Sequence, residues 1–179
     1  MELKNKKIIL AITGGIAAYK IPELVRLFIK EGAEVKVIMT EVAKEFVSPL
    51  VLSVLSKNEV LIGITKDLIW NNHVDLALWG DIMIVAPCTL NTIGKFANGI
   101  CDNLVCATYF SMRGKVFIFP AMDCDMWEHK STLRNIDILI KDNIIVTTPE
   151  MGFLASGLYG FGRMKESKNI IEYLQEFEL

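Results

Sequence analysis

This chain has little that would tie it to a membrane, a metal or a polyanion. No apolar run approaches the roughly 18 residues that a membrane span needs. The lysine-rich start is followed by no signal-peptide core. Together these absences predict a cytoplasmic protein that makes no membrane contact. Cys88, Cys101, Cys106 and Cys124 form no C-x-x-C pair, and neither His73 nor His129 stands at zinc-ligand spacing from another candidate. No metal site is expected, and the thiols read as reduced core or pocket residues. The net charge is only -2, with both signs interleaved, so nothing favours a nucleic-acid partner. G-x-G-x-x-G and a Walker lysine are missing as well, which removes the commonest dinucleotide and nucleoside-triphosphate readings. There is no linker, internal repeat or low-complexity tract.

What is present is a dense alternation of short apolar runs and amphipathic stretches. The 179 residues are one domain's worth of chain, read as a single unit over 1–179. Hydrophobic residues make up 52%, high for a soluble monomer, and the surplus is assigned to a subunit interface in preference to an unusually full core. Six strands are expected: Lys7–Ile12, Glu34–Met39, Val60–Ile64, Ile82–Ala86, Val116–Phe119 and Ile144–Thr147. Helices are expected at about 17–30, where Ile21, Leu24, Val25 and Phe28 share a face and Gly32 supplies the stop. Others are expected at 41–55, 92–98, 104–111, 132–141 and 168–177, while 65–80 shows no clean period. Strands separated by helices imply right-handed crossovers and an α/β doubly wound parallel sheet of three layers.

Open sheets of this kind bind ligands just beyond the carboxyl ends of their strands, so the strand exits matter most. The fifth strand leaves through Pro120-Ala121-Met122-Asp123-Cys124-Asp125-Met126-Trp127, a mixture that suits a pocket wall better than core or open loop. The first runs into Thr13-Gly14-Gly15-Ile16-Ala17-Ala18-Tyr19-Lys20. Paired glycines let backbone approach a ligand, the following helix start offers free N–H groups, and Thr13 adds a hydroxyl. A tight turn with no ligand reads equally well. Thr40 closes the second strand. The fourth exits as Ala86-Pro87-Cys88-Thr89-Leu90-Asn91-Thr92, where Asn91 or Thr92 can also serve purely as a helix cap. Neutral donors in three adjacent exits suit a mononucleotide with one phosphate and a hydrogen-bonding ring. Residues 150–165 interleave glycine with Phe153, Leu158, Tyr159 and Phe161, as expected of a flap over a site.

Taken in order, these segments resemble the homo-oligomeric flavin-containing cysteine decarboxylases. The matching stretches also include Phe46-Val47-Ser48-Pro49-Leu50, His73-Val74-Asp75-Leu76 and Gly162-Arg163-Met164, and they span residues 6 to about 175. The resemblance implies a Rossmann-like six-stranded sheet in the order 3-2-1-4-5-6. It also implies FMN, and a trimer, or a dodecamer built of trimers, with the active site at a subunit interface. Gly14, Gly15, Ile16, Thr40, Ser48, Thr89, Asn91 and Thr92 would contact the cofactor. His73, Asp123 and Ser156 would be catalytic, and Ala121, Met122, Asp123, Met126 and Arg163 would hold substrate.

The implied substrate is 4'-phosphopantothenoylcysteine and the implied product 4'-phosphopantetheine, a step of coenzyme A biosynthesis. Loss of CO2 from a cysteine carboxyl leaves a carbanion, and the flavin would provide its sink by oxidising the CH2–SH to a thioaldehyde and later re-reducing the enethiol. His73 suits the thiol proton. His129 is expected at a helix start or in solvent. Two positions depart from the family pattern. Asp123 stands where an asparagine is common, and an ionised carboxylate there would repel a substrate carboxylate unless it is protonated or offset by a cation such as Arg163 or Lys165. Ser156 stands where many members carry the cysteine assigned to the enethiol step. That keeps two alternatives open: oxidative decarboxylation of a peptide's C-terminal cysteine, and a non-catalytic flavin-binding regulatory subunit.

Overall fold

The computed structural model describes residues 3–177. Its spine is a parallel sheet whose strands are almost wholly apolar, because helices cover both faces and leave no solvent side. β1 (Lys7–Ile12) buries every residue after the first and leads through a short 3-10 turn, Ile16–Lys20, into α1 (Ile21–Lys30). Pro22 in the first turn of α1 fixes where the α-helix proper can begin. Its buried face is Ile21, Leu24, Val25 and Phe28, each burial stabilising by about 1.5–3 kcal/mol. Gly32, at φ 81°, ends it in the left-handed region. β2 (Glu34–Met39) pairs parallel with β1, and α2 (Pro49–Ser56) follows a second 3-10 segment at Glu41–Glu45.

The expected third strand is the main departure. Only Leu61 touches the sheet, through one parallel bridge to Ile38 made by Met39 N–H to Leu61 O (2.9 Å) and Leu61 N–H to Val37 O (3.1 Å). The chain then turns away, because Asn71 seizes the backbone of residues 63 and 64: its amide donates to Gly63 O at 2.7 Å and its N–H to Ile64 O at 2.8 Å. The central sheet therefore has five strands, not six. The stretch without a clean period becomes a hairpin, β3 (Thr65–Lys66) with β4 (Ile69–Trp70), and then α3 (His73–Trp79). Asn72 caps α3 by accepting from Val74 N–H and Asp75 N–H.

β5 (Ile82–Cys88) is buried throughout and lies beside β1. α4 (Leu90–Ala97) and α5 (Leu104–Ser111) carry the chain to β6 (Lys115–Pro120), which pairs with β5. A short α6 (Cys124–Glu128) and α7 (Lys130–Lys141) lead to β7 (Ile145–Val146). His129 caps α7 with its ring nitrogen on Ser131 N–H, at the helix start as expected. β8 (Glu150–Phe153) and β9 (Tyr159–Arg163) form a separate antiparallel hairpin before α8 (Ser167–Gln175). The sheet order is β2-β1-β5-β6-β7, with two core clusters, one on each face. Counting Leu61 as the remnant of the outermost strand restores the implied order. The sequence reverses between β1 and β5, and the site lies at the exits of those two strands.

Candidate functional site

The exits of β1 and β5 are stitched together. Thr13 Oγ1 donates to Pro87 O at 2.7 Å and accepts from Thr89 N–H at 2.9 Å, leaving the hydroxyl buried. Thr13 is thus a structural tie, and its hydroxyl is not offered to a ligand. At Gly14 a Cβ would come within 2.6 Å of Val42 Cγ1, so a side chain there would push away the segment after β2. Gly15 is different: a Cβ would meet only Thr89 Cγ2, at 3.5 Å. Its bare backbone faces an open cleft of about 570 Å³.

Thr40 sits beside the same turn, its N–H on Ile12 O at 3.0 Å, and its Oγ1 is buried with no partner. Such an orphan costs roughly 1–3 kcal/mol unless a ligand supplies the missing bond. Thr89, not Asn91 or Thr92, occupies the N-cap of α4, and no side chain caps that helix. Its first N–H groups are therefore left for an anion. Thr92 is buried, 3.4 Å from the Thr89 hydroxyl, while Asn91 is exposed in the first turn. Ser48 is an exposed N-cap of α2. Of the expected cofactor residues, Gly14, Gly15, Ile16 and Thr89 line the cleft; Thr40, Ser48, Asn91 and Thr92 do not.

The opposite wall is built by the exit of β6 and by the hairpin. Ala121 N–H donates to Cys88 O (3.0 Å) and Met122 N–H to Gly162 O (3.1 Å), so β9 lies directly on the Met122 backbone. Gly162 allows this approach, since a methyl there would overlap the Met122 carbonyl oxygen. Gly160 makes the same allowance for Cys124, whose Cβ a methyl would meet at 2.8 Å. The flap turn is closed by Leu154 N–H to Leu158 O (2.8 Å), with Gly157 at φ 88°. Ala121, Met122, Asp123, Met126, Ser156 and Arg163 all line the cleft.

The two unusual residues meet each other. The Ser156 hydroxyl and then the Cys124 thiol, whose Sγ donates to Asp123 Oδ1 at 3.3 Å, hold the Asp123 carboxyl below the usual range. The resting carboxylate is thus ionised, and its compensation comes from neutral donors. Arg163 is occupied elsewhere: it reaches Glu166 Oε1 at 2.9 Å, the same oxygen that Lys20 meets at 2.6 Å. Lys20 first, then Arg163, holds the Glu166 carboxyl down. Lys20 is only 8% exposed and also donates to Met164 O at 3.3 Å. Lys20 closes the glycine motif, but no spacing in the sequence assigns it a role. The missed signal is a cation four residues inside an otherwise apolar helix entry.

His73 is not in the cleft of its own chain. It opens α3, edge-on to Trp70 at 5.6 Å, and its Nδ1 is buried without a partner. Exposed apolar side chains surround it in sequence, including Leu68, Ile69, Trp70, Val74 and Leu78. Cys88 and Cys106 are buried and their thiols pushed up by burial, so neither is a nucleophile. Among the described residues, no three of His, Cys, Asp and Glu gather as metal ligands, and no helix is long and apolar enough to cross a membrane.

A family model described as Flavoprotein matches residues 1–178. The chain belongs to the Flavoprotein family. Among curated relatives, this flavoprotein is 42% identical over 176 residues to the coenzyme A biosynthesis bifunctional protein CoaBC of Bacillus subtilis, covering 97% of the chain and 43% of that protein. It thus spans less than half the length of such bifunctional relatives. It is 38% identical over 176 residues to the probable phosphopantothenoylcysteine decarboxylase of Streptococcus mutans, covering 96% of the chain and 98% of that protein. A solved PPC decarboxylase mutant complexed with pantothenoylaminoethenethiol superposes with a TM-score of 0.86 at 30% identity, covering 97% and 98% of the two chains. The FMN binding protein AtHal3 superposes at 0.82, also at 30% identity, covering 97% of each.

Proposed function

We propose that this flavoprotein is a phosphopantothenoylcysteine decarboxylase, a carboxy-lyase that uses FMN to convert 4'-phosphopantothenoylcysteine to 4'-phosphopantetheine in the cytoplasm. The observation that carries the reading is the cleft itself. One wall carries the bare backbone of Gly15 and an uncapped helix start, with the orphaned hydroxyl of Thr40 buried beside that turn, and the other is a flap that brings Ser156 into the same cleft as Asp123. The likeness to a decarboxylase of nearly the same length supports it.

The residues fit the cofactor. The bare backbone of Gly14 and Gly15, the first N–H groups of α4, and the hydroxyls of Ser48, Thr89 and Thr92 would hold the phosphate and ribityl chain. Thr40 Oγ1 would regain a partner, and Ile16 and Asn91 would border the ring. When bound, FMN supplies the electron sink that decarboxylation requires. The protein's own part is orientation and protons. Ala121, Met122 and Met126 wall the substrate, and the Arg163–Glu166–Lys20 cluster meets its anionic groups. Asp123 orients the Ser156 hydroxyl toward the reacting carbon, and flap closure excludes water.

His73 completes the site from a neighbouring subunit. Its orphaned nitrogen and the exposed apolar residues beside it support that placement, in a trimer or a dodecamer of trimers. Each chain acts as one flavoprotein domain. The test is anaerobic incubation with 4'-phosphopantothenoylcysteine, following product mass. Loss of CO2 alone is the expected result. A product also lighter by two hydrogens, with bleached flavin, would instead make the protein an oxidative decarboxylase, and no reaction would overturn the reading. His73→Asn should keep the yellow flavin and lose turnover by about 100-fold or more; retained turnover would remove His73 from catalysis.

A further inference from the structure

Two side chains of different kinds hold the Asp123 carboxyl down, and only one of them belongs to the flap. Ser156 arrives from the turn between β8 and β9 and lines the cleft together with Asp123. Cys124 is the next residue in the chain, at the start of α6, and its Sγ lies 3.3 Å from Asp123 Oδ1. The backbone of Gly160 presses on Cys124 from above, where even a methyl would come within 2.8 Å of its Cβ, so the thiol has little freedom to turn away.

We propose that Cys124 is a positioning residue that holds the Asp123 carboxylate in place for Ser156. The inference rests on the decarboxylase reading for its kinetic arm only. The thiol acts as a donor and not as a nucleophile: its proton is held by Asp123, which raises the thiol's own pKa, with Asp125 adding to the effect. Within one chain, the titratable and charged groups near the carboxylate are Cys124 and Asp125 on α6, with Arg163 on β9 and Lys20 lining the same cleft and Glu166 between those two. The last three are paired with one another, so short-range hydrogen bonds, not a free cation, decide the charge of Asp123.

A donor to the ionised form favours that form, so removing Cys124 makes Asp123 easier to protonate. Cys124→Ala should shift the acid limb of kcat/KM to higher pH, and Cys124→Ser, which restores an O–H donor, should return it. A role in packing alone would lower the rate at every pH without moving the limb.

A second readout needs no turnover. In flavin-free protein, Asp123→Asn removes the anion that keeps the thiol protonated. Iodoacetamide labelling of Cys124 at pH 8, resolved by peptide mass with the exposed Cys101 as internal reference, should then accelerate about threefold or more. An unchanged labelling ratio, or a Cys124→Ala profile that superposes on the parent, would overturn the proposal. If the parent fails to decarboxylate the substrate, the function falls, while the labelling result still decides the role of Cys124.

Discussion

Replacing Gly162 by alanine tests how the flap is seated. The new methyl would overlap the Met122 carbonyl oxygen and come within 3.2 Å of Leu154 Cδ2. Leu154 can swing aside, but the carbonyl is backbone, fixed on one side by Ala121 N–H on Cys88 O and on the other by α6. Reaching an ordinary contact requires β9 to withdraw by more than about 1 Å. That movement breaks the hydrogen bond from Met122 N–H to Gly162 O, a loss of about 1 kcal/mol, on top of about 1–3 kcal/mol for overpacking. For a chain of this size the melting temperature should fall by roughly 4–15 °C. The cheaper response is local, because β8 and β9 form a two-stranded sheet of their own and can lift without disturbing the core. In that case the melt moves little, but Ser156 leaves Asp123, Arg163 moves with β9, and kcat/KM should drop about 100-fold. Thermal melting by circular dichroism, run beside the decarboxylation assay, separates the two responses. A variant with unchanged melting and turnover within about twofold of the parent would refute the idea that β9 packing places the flap.

Two further outcomes follow from other parts of the fold. Lys20→Met should destabilise the protein by about 1–2 kcal/mol at pH 7, a figure discounted because the partner Glu166 is 44% exposed. The folded Glu166 pKa is depressed, so its contribution is present above the ordinary carboxyl value of 4.5 and is lost as pH falls through the folded value. Denaturant titrations should accordingly show a flatter acid decline for Lys20→Met than for the parent; parallel declines would remove Lys20 as the cause. Gly94→Ala should stabilise by about 0.5–1 kcal/mol, since the methyl meets only Asn135 Nδ2 at 3.6 Å and the site is interior to α4; a lowered midpoint would show that the gap between α4 and α7 is tighter than its geometry.

Much of the sheet was legible because buried parallel strands announce themselves as short apolar runs. β1 and β2 fall on their expected bounds, and β5 and β6 extend past theirs, through Cys88 and Pro120, into the site. The third strand failed for a reason that apolar content cannot register. Val60–Ile64 is apolar enough, but Asn71 holds the Gly63 and Ile64 carbonyls and turns the chain off the sheet. α3 was missed although its signal is local: Asn72 and Asp75 stand three apart as a cap and its reply, joined by Asn72 Nδ2 to Asp75 Oδ2 at 2.6 Å. The long helix expected over 41–55 is split at Ser48, where Pro49 begins α2. At the site, the glycines and the pocket wall were readable from strand exits. The pairing of Asp123 with Ser156 was not, since no periodicity links a strand exit to a flap turn 33 residues later. Of the two readings open for Thr13, the ligand-free turn holds, and its bond to Pro87 O was not legible because a hydroxyl's partner across a sheet is a tertiary fact.

The tie between Lys20 and Glu166 joins residues 146 apart in sequence, and the Ser167 hydroxyl adds a bond to Lys20 O at 3.4 Å. The 3-10 turn that ends in Lys20 is therefore finished by residues at the start of α8. The cleft is not closed until residues 159–167 are in place. A chain ending before β9 would lack Gly162, Arg163 and Glu166, and with them the bond that seats the second wall of the cleft and the partner that holds Lys20.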